Sequence, residues 1–190
     1  IFPPFVHISA VVAAVAKSAI GIGAQNVSEY SGGAYTGEIS AEMLVDQGCK
    51  YVLVGHSERR AVLNESSVAV AEKFKTAQSA GLIPILCVGE SLQQRHDGQT
   101  VDVVSAQIAA VIDCVGLQNV CRAVIAYEPV WAVGTGETAS PEQAQQVHSA
   151  IRAQLGEAGI STPLLYGGSV KAANAAELFA QPDINGGLVG

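Results

Sequence analysis

The stretch AVIAYEPVWAVGTGETASPEQ, residues 123–143, holds one strand–loop–helix unit and decides the fold class. Residues 123–127 form a short apolar run without polar alternation, which is typical of a strand covered on both faces, as in parallel sheets. Ser140, Pro141 and Gln143 then supply a helix cap, a first-turn proline and the far end of a capping box. The stretch therefore predicts a parallel strand, a long loop and a helix.

The same unit recurs along the chain without a linker rich in Pro, Gly or Ser. The predicted strands are Ile20–Ala24, Tyr51–Gly55, Ile83–Val88, Ala123–Tyr127, Pro163–Tyr166 and Ile184–Val189, and Ile1-Phe2 is expected to be the tail of another. The predicted helices are Val11–Lys17, Ser40–Gln47, Ser66–Ala80, Val101–Val115, Pro141–Ala158 and Lys171–Ala180. Four of these helices are expected to end at Gly48, Gly81, Gly116 and Gly159.

This order of elements predicts an α/β fold with about seven strands and six helices. A (β/α)8 barrel that lacks its first strand and helix, part of its second strand and its last helix would give this count. A doubly wound parallel sheet is the alternative. We expect residues 1–190 to form a single, partial barrel domain, since the length suits one domain.

Composition excludes several classes of function. Charged residues make up 14% of the chain, below the roughly 25% usual for soluble domains, so much of it is expected to be buried. The net charge is −7 and the basic residues are scattered, so nucleic acid is not an expected partner. The apolar runs are too short to span a bilayer, and no signal peptide is visible, so we expect a cytoplasmic protein without a membrane partner.

The four cysteines show neither a CxxC pair nor the spacing of a metal site. They predict free, buried thiols in a reducing compartment, with a disulfide as the alternative. They are Cys49, Cys87, Cys114 and Cys121.

Polar and glycine residues follow the ends of the predicted strands. These segments are Gln25-Asn26, His56-Ser57-Glu58-Arg59-Arg60, Gly89-Glu90-Ser91, Glu128 and Gly167-Gly168-Ser169. In a parallel barrel the carboxyl ends of the strands form one rim that carries the chemistry. We therefore expect the active site at this rim.

His56 ends a strand and precedes SERR, residues 57–60, which favours a first helical turn. The positive end of a helix disfavours a protonated imidazole, so His56 is expected to stay neutral and to donate a hydrogen bond to a carbonyl. A purely structural histidine is the alternative. His7, His96 and His148 lack such a setting and are expected in loops or on helix surfaces.

Glu128 stands at a strand end beside Pro129 and Trp131, a partly apolar setting that suits a general base near neutral pH. A salt-bridged rim residue is the alternative. The stiff segment after Glu128 leads to Gly134 and Gly136, which is the composition of a hinged lid. A lid that excludes water would make the carboxylate effective and protect a reactive intermediate.

Two glycine turns, YGGS at 166–169 and GGLVG at 186–190, follow the last two strands. Their backbone N–H groups could face an anion, and barrel phosphate sites lie after strands seven and eight. Simple tight turns are the alternative. The residues together predict proton abstraction next to a carbonyl on a small phosphorylated substrate.

The motifs GAQN, TGEIS, VGHSERR, CVGE, AYEPVWAVGTG, YGGSV and LVG occur in this order, and with them the chain resembles the triosephosphate isomerase family. The resemblance implies an incomplete TIM barrel that interconverts dihydroxyacetone phosphate and D-glyceraldehyde 3-phosphate through an enediol(ate), a step of glycolysis and gluconeogenesis. The family is itself the standard example of a neutral histidine paired with a glutamate base. No metal or organic cofactor is expected.

The resemblance also implies roles for individual residues. Glu128 would be the base and His56 the electrophile. Phosphate would be bound by Gly134, Ser169 and Gly190, and the supporting residues would be Ser57, Glu58, Cys87 and Glu90.

A homodimer is a further implication of the resemblance. Residues 26–38, NVSEYSGGAYTGE, match the family's third loop, and Thr36 near its tip would reach the active site of the other subunit. The loop is unusually long for a strand–helix connection, which favours a function. A plain surface loop is the alternative.

The sequence departs from the family at both ends. The family's first strand carries an Asn and a Lys that contact substrate, and none of the five lysines here ends a strand. Residue 1 is not Met, and the final helix and a glycine beyond Gly190 are also missing. We expect the chain expressed alone to be inactive. Two alternatives remain open: another phosphate-binding barrel enzyme, such as an aldolase or synthase, and a non-catalytic protein that keeps the motifs by descent.

Overall fold

The computed structural model describes residues 1–132 and 138–190. Their contacts divide the chain into two compact units, Ile1–Leu86 and Cys87–Gly190. Each unit contains short parallel strands that alternate with helices.

The first unit contains strands β1 (Gly23–Ala24), β2 (Tyr51–Val54) and the part of β3 (Ile83–Val88) up to Leu86. Its helices are α1 (Ile8–Val15), α2 (Ala41–Asp46), α3 (Ser57–Val62) and α4 (Ser67–Ser79), and Phe5–His7 forms a 3-10 turn. β2 pairs in parallel with β1 on one side and with β3 on the other. Val52 and Val54 of β2 and Phe74 of α4 are fully buried in its core.

The second unit contains the end of β3 and strands β4 (Val124–Tyr127), β5 (Leu164–Tyr166) and β6 (Gly186–Gly187). Its helices are α5 (Leu92–His96), α6 (Thr100–Val115), α7 (Leu117–Cys121), α8 (Pro141–Leu155) and α9 (Ala175–Phe179), and Val130–Ala132 and Gly156–Gly159 form 3-10 turns. β5 pairs in parallel with β4 and with β6. Ile125, Leu164 and Ile151 are buried in its core.

The strand order distinguishes the two folds considered from sequence. Within each unit, neighbouring strands are also consecutive in the chain. A barrel has this order throughout, whereas a doubly wound sheet reverses it at a switch point. The α/β class is confirmed, and the strand order agrees with the incomplete barrel.

Helix α8 shows how local sequence sets the bounds of an element. The Ser140 hydroxyl accepts the backbone N–H of Gln143, and the Gln143 side chain accepts the backbone N–H of Ser140. This is the predicted capping box, with Pro141 in the first turn. The helix ends at Leu155 and not at the predicted Ala158, because Gly156 has a φ of 59° that breaks the helix.

Several predicted elements differ from the structure. Strands β1 and β6 are two residues long, since only these residues pair with their neighbours. Ile1-Phe2 is not assigned as a strand in the described chain, although Gly23 N–H donates to the Ile1 carbonyl at 3.0 Å. Helix α1 begins three residues earlier than predicted, and α9 is limited to Ala175–Phe179.

Helices α3, α5 and α7 were not among the six predicted, and the described residues contain nine α-helices in all. Each of the three has five or six residues, which is under two turns and too short to show a clear helical period. None of the described helices is both long enough and apolar enough to cross a bilayer. All four cysteines lie within the described chain and none of them forms a disulfide; Cys49 and Cys87 are buried, whereas Cys114 and Cys121 are half-buried.

Candidate active site

His56, Ser57 and Glu58 lie in the first unit, where β2 ends and α3 begins. His56 is the residue that caps α3, and its Nδ1 accepts the backbone N–H of Glu58 at 3.4 Å. A ring nitrogen that accepts a hydrogen bond carries no proton, so the remaining ring proton of a neutral imidazole lies on Nε2. The cap therefore places the ring proton of a neutral His56 on Nε2.

The other two residues of this segment differ in exposure. Ser57 is buried, whereas the side chain of Glu58 is 80% exposed. The Glu58 carboxylate lies 3.9 Å from Nδ1 of His56, an ion pair only if the imidazole is protonated. Because Nδ1 already accepts a backbone N–H, Glu58 acts on His56 at most as a weak, solvent-screened neighbour.

The turn before His56 is fixed by Gly55 and Arg60, whose contacts with each other and with α4 the sequence did not predict. Gly55 has a φ of 73°, which favours glycine, and its carbonyl accepts Nε of Arg60 at 2.8 Å. A second guanidinium nitrogen of Arg60 donates to the Ser67 hydroxyl at 3.2 Å. Arg60 thus ties the end of β2 to the start of α4.

Glu65 is the centre of a buried ion-pair cluster that the sequence did not predict. Glu65 Oε1 accepts Nε of Arg59 at 3.1 Å and pairs with Nζ of Lys73. Burial raises the pKa of Glu65, but the hydrogen bonds and charges of Lys73 and Arg59 outweigh burial and lower it overall. Lys73 also donates to Oδ1 of Asn26 at 2.9 Å, so the cluster holds the start of the loop at 26–38.

Thr36 lies on an exposed turn of that loop. Tyr30 and Tyr35 stack within the loop, with ring centroids 3.8 Å apart. The hydroxyl of Thr76 on α4 donates to the Glu29 carbonyl at 3.0 Å and adds a second anchor at the loop's start. The contact of Thr36 with a second subunit stays a prediction.

Glu128 is the first residue after β4, and only 2% of it is exposed. Its backbone N–H donates to the Val88 carbonyl at 2.7 Å. Glycines pack against it on both sides: a Cβ on Gly89 would lie 1.8 Å from the Glu128 carbonyl oxygen, and one on Gly167 would lie 2.8 Å from Glu128 Cγ. No other residue type fits at either position without movement of the backbone or of Glu128.

Glu90 is fully buried and links β4 to the segment after Glu128. Its Oε1 accepts the Tyr127 hydroxyl at 3.1 Å and Nε1 of Trp131 at 2.9 Å. Arg95 lies 3.4 Å from the same oxygen, and its guanidinium stacks on the Trp131 ring at 4.5 Å from the centroid. Burial raises the pKa of Tyr127, and the neighbouring Glu90 carboxylate raises it further.

The predicted lid is described only up to Ala132. Val130–Ala132 form a 3-10 turn, and Val130 N–H donates to the Glu90 carbonyl at 3.2 Å. Gly134, which was predicted to bind phosphate, and Gly136 lie outside the described residues.

The turn after β5 contacts the described start of the lid. Both the N–H and the hydroxyl of Ser169 donate to the Ala132 carbonyl, at 3.1 and 2.8 Å. A Cβ on Gly168 would lie 2.3 Å from the Tyr166 hydroxyl oxygen, so glycine is required there. The structure thus brings Glu128, Glu90 and Ser169 together through the segment that follows β4. Cys87 is buried in β3, and Gly190 is exposed at the last residue.

His148 was expected on a helix surface, and this prediction is wrong. The residue is fully buried on α8, and its Nδ1 lies 2.8 Å from the Ala144 carbonyl. Its ring packs against Tyr127 and Tyr166, with centroids 5.7 and 6.4 Å away. The buried residues of α8 recur at helical spacing around position 148, and this periodicity could have revealed it.

The described residues contain no group of three or more His, Cys, Asp or Glu side chains that could hold a metal ion. The first unit offers the imidazole of His56, and the second offers the buried carboxylate of Glu128 and backbone donors at glycine turns. These groups suit proton transfer on a carbonyl compound.

Comparison with known proteins gives a consistent match. The family model described as triosephosphate isomerase matches residues 1–190. A triosephosphate isomerase of Thiobacillus denitrificans is 59% identical over 191 residues, covering 98% of this chain and 77% of the relative. Those of Alcanivorax borkumensis and Pseudomonas paraeruginosa are 56% and 58% identical, and each alignment covers all of this chain and 78% of the relative.

Proposed function

Because this chain belongs to the triosephosphate isomerase family, we propose that Glu128 moves the proton between the two carbons of its reaction and that His56 acts on their oxygens. The chain is an isomerase that interconverts dihydroxyacetone phosphate and D-glyceraldehyde 3-phosphate, EC 5.3.1.1. This assignment removes the alternative of an aldolase or synthase on the same type of barrel.

The observation that carries the proposal is the setting of Glu128, a buried carboxylate at the end of a parallel strand with glycine backbone packed on both sides. Burial and close packing restrict the side chain, and a restricted base that needs no reorganisation is an effective one. Glu128 removes a proton from the carbon next to the carbonyl group. The C–H electrons form the carbon–carbon double bond of the enediol(ate), and the same carboxyl group then protonates the neighbouring carbon.

His56 acts on the oxygen. The carbonyl π electrons move onto that oxygen as the proton leaves carbon, and Nε2–H of His56 gives its proton to it. His56 then takes the proton of the neighbouring hydroxyl group, and the electrons of that O–H bond form the new carbonyl as Glu128 protonates carbon. The Nδ1 hydrogen bond from Glu58 N–H supports this role because it leaves the donor at Nε2. Ser57, Glu58, Cys87 and Glu90 support the two residues: Glu90 does so through Tyr127 and Trp131, which flank Glu128 in the chain.

Phosphate is bound, in this proposal, by backbone and hydroxyl donors of the glycine turns at Ser169 and Gly190 and by Gly134 of the lid. Ser169 offers two adjacent donors, which suits an anion. Because both now donate to the Ala132 carbonyl, phosphate would replace that carbonyl as their acceptor. Binding would thus be coupled to movement of the lid.

The assembly and the compartment are also proposed. The long loop at 26–38 is anchored at its start by Lys73 and Thr76, which supports a loop that presents Thr36 to a second copy in a homodimer. Four cysteines in the described chain without a disulfide support a reducing, cytoplasmic location. The absence of a linker in the sequence supports one partial barrel domain over residues 1–190.

Isomerisation in D2O tests the reaction class. A base that exchanges its proton with solvent during the life of an enediol(ate) introduces deuterium at the carbon it reprotonates. The product should therefore carry solvent deuterium, and the Glu128→Gln variant should lose both turnover and labelling. Product that contains only the original hydrogen would contradict proton transfer, and normal labelling in Glu128→Gln would exclude this residue as the base.

A further inference from the structure

Gln107 of α6 holds a single residue, Gly89, with both ends of its side-chain amide. The Gly89 N–H donates to Oε1 of Gln107 at 2.9 Å, and Nε2 of Gln107 donates to the Gly89 carbonyl at 3.0 Å. The side chain thus pairs with the backbone as a neighbouring strand would, using one donor and one acceptor. Two hydrogen bonds to one residue fix its orientation as well as its position.

Gly89 is the middle residue of a segment to which Glu128 is bonded. We call residues 88–90 the shelf. The Val88 carbonyl accepts Glu128 N–H at 2.7 Å, and the Glu90 carbonyl accepts Val130 N–H at 3.2 Å. Between these two bonds, Gly89 lies so close to Glu128 that a Cβ would fall 1.8 Å from its carbonyl oxygen. Any shift of the shelf is therefore passed to the backbone of Glu128.

We propose that Gln107 is a positioning residue for the isomerisation: it holds the shelf, and the shelf sets the position of the Glu128 carboxylate. The inference rests on the proposed role of Glu128 as the base. Gln107 acts through Gly89 and Glu128, and its own role requires no contact with substrate. Catalytic groups must be held within about half an ångström of the productive geometry, and supporting hydrogen bonds are the usual means.

Two substitutions separate the hydrogen bonds from the space that the side chain fills. Gln107→Met keeps a similar length and shape but removes both hydrogen bonds. Gln107→Glu keeps an acceptor for the Gly89 N–H, but its ionised form places a carboxylate oxygen against the Gly89 carbonyl. When that carboxyl group is protonated, its O–H can donate to the Gly89 carbonyl and its other oxygen can accept the N–H, which restores the pair.

Gln154 offers a matched control. It also lies on a helix of the second unit, and its Nε2 donates to a backbone carbonyl, that of Ser105, at 3.0 Å. Gln154→Met therefore removes a comparable helix-to-backbone hydrogen bond away from the shelf. A loss of stability that both methionine variants share reflects the loss of a helix-to-backbone hydrogen bond in general. A loss of turnover found only in Gln107→Met reflects a displaced Glu128.

The experiment uses the protein expressed from its whole gene, with kcat and KM for D-glyceraldehyde 3-phosphate measured across the pH range. We expect kcat of Gln107→Met to fall on the order of tenfold, with KM changed less than about twofold, since a displaced base slows the chemical step more than it weakens phosphate binding. Gln154→Met should keep its kcat. The kcat of Gln107→Glu, divided by that of the wild type, should rise as the pH is lowered.

Amide hydrogen exchange gives a readout that does not depend on turnover. Exchange at Gly89 should be slow in the wild type and faster in Gln107→Met, while Gln154→Met should leave it unchanged. Equal kcat values in the two methionine variants, or a Gln107→Glu ratio that does not vary with pH, would overturn the proposal. If Glu128 is not the base, Glu128→Gln will retain turnover, whatever the result for the Gln107 variants. The two proposals can therefore fail independently.

Discussion

Among single residues, Gly167 shows how closely the proposed base, Glu128, is packed. A Cβ there would lie 2.8 Å from Glu128 Cγ and 3.2 Å from the Tyr127 carbonyl oxygen. We expect Gly167→Ala to push the Glu128 side chain out of place, lowering kcat and destabilising the fold by about 1 to 3 kcal/mol, as overpacking does. Urea unfolding and steady-state kinetics measure the two effects. Gly32→Ala is the control for stability, since nothing lies within 4 Å of a Cβ at Gly32; equal stability of the two variants would contradict the packing argument.

His148 is the buried residue that links stability to pH. Burial lowers the pKa of His148, and Arg152 lowers it further, against the opposing effects of the Ala144 and Leu165 carbonyls and of Asp183. The unfolded chain therefore binds this proton more readily than the folded one. The contribution of His148 to stability is complete above about pH 6.5, the ordinary pKa of histidine, and is lost as the pH falls through the lower folded value.

We accordingly expect His148→Phe to reduce the fall in the free energy of unfolding below about pH 6.5, because the variant has no proton to bind at this position. The aromatic replacement keeps the packing against Tyr127 and Tyr166. Urea unfolding at a series of pH values measures the slope, with His96→Gln, at an exposed histidine, as the control. An unchanged slope in His148→Phe would show that this histidine does not set the acid sensitivity.

At the scale of elements, the start of α8 is fixed by the Ser140 cap directly after the lid. We expect Ser140→Ala to destabilise the fold by about 1 kcal/mol, because the N–H of Gln143 loses its acceptor. Ser79→Ala is the control: this exposed hydroxyl donates to the Lys75 carbonyl within α4 and caps nothing. Thermal unfolding compares the two, and equal melting temperatures would argue against the cap.

The same scale shows what the sequence could predict. β3 has the predicted bounds because an unbroken apolar run of six residues marks it, and the capping box marks the start of α8. Helices α3, α5 and α7 are too short for periodicity to reveal. The predicted end of α8 is too late in the chain because Gly156 and Gly159 are both able to end a helix. Only the backbone conformation, a φ of 59° at Gly156, shows that the helix ends before Gly156.

Along the whole chain, the candidate site residues that the sequence could indicate are those that lie directly after strands. His56, Glu90, Glu128 and Ser169 could be named from sequence because strand ends carry the chemistry of a barrel. Gln107 and Glu65 could not, because a polar residue on or beside a helix does not reveal its partner elsewhere in the chain. Gln107 and Gly89 are 18 residues apart, and Lys73 and Asn26 are 47 apart.

Glu128→Asp is the decisive variant for the proposed role of Glu128 as the base. The substitution keeps the charge and retracts the carboxylate by one methylene, a displacement of about 1 Å that can cost on the order of 10²-fold in rate. The protein expressed from its whole gene is assayed with D-glyceraldehyde 3-phosphate, with Glu157→Asp, at an exposed position of the second unit, as the matched control. We predict a loss in kcat on the order of 10²-fold for Glu128→Asp and none for Glu157→Asp; turnover close to that of the wild type in Glu128→Asp would contradict the assignment.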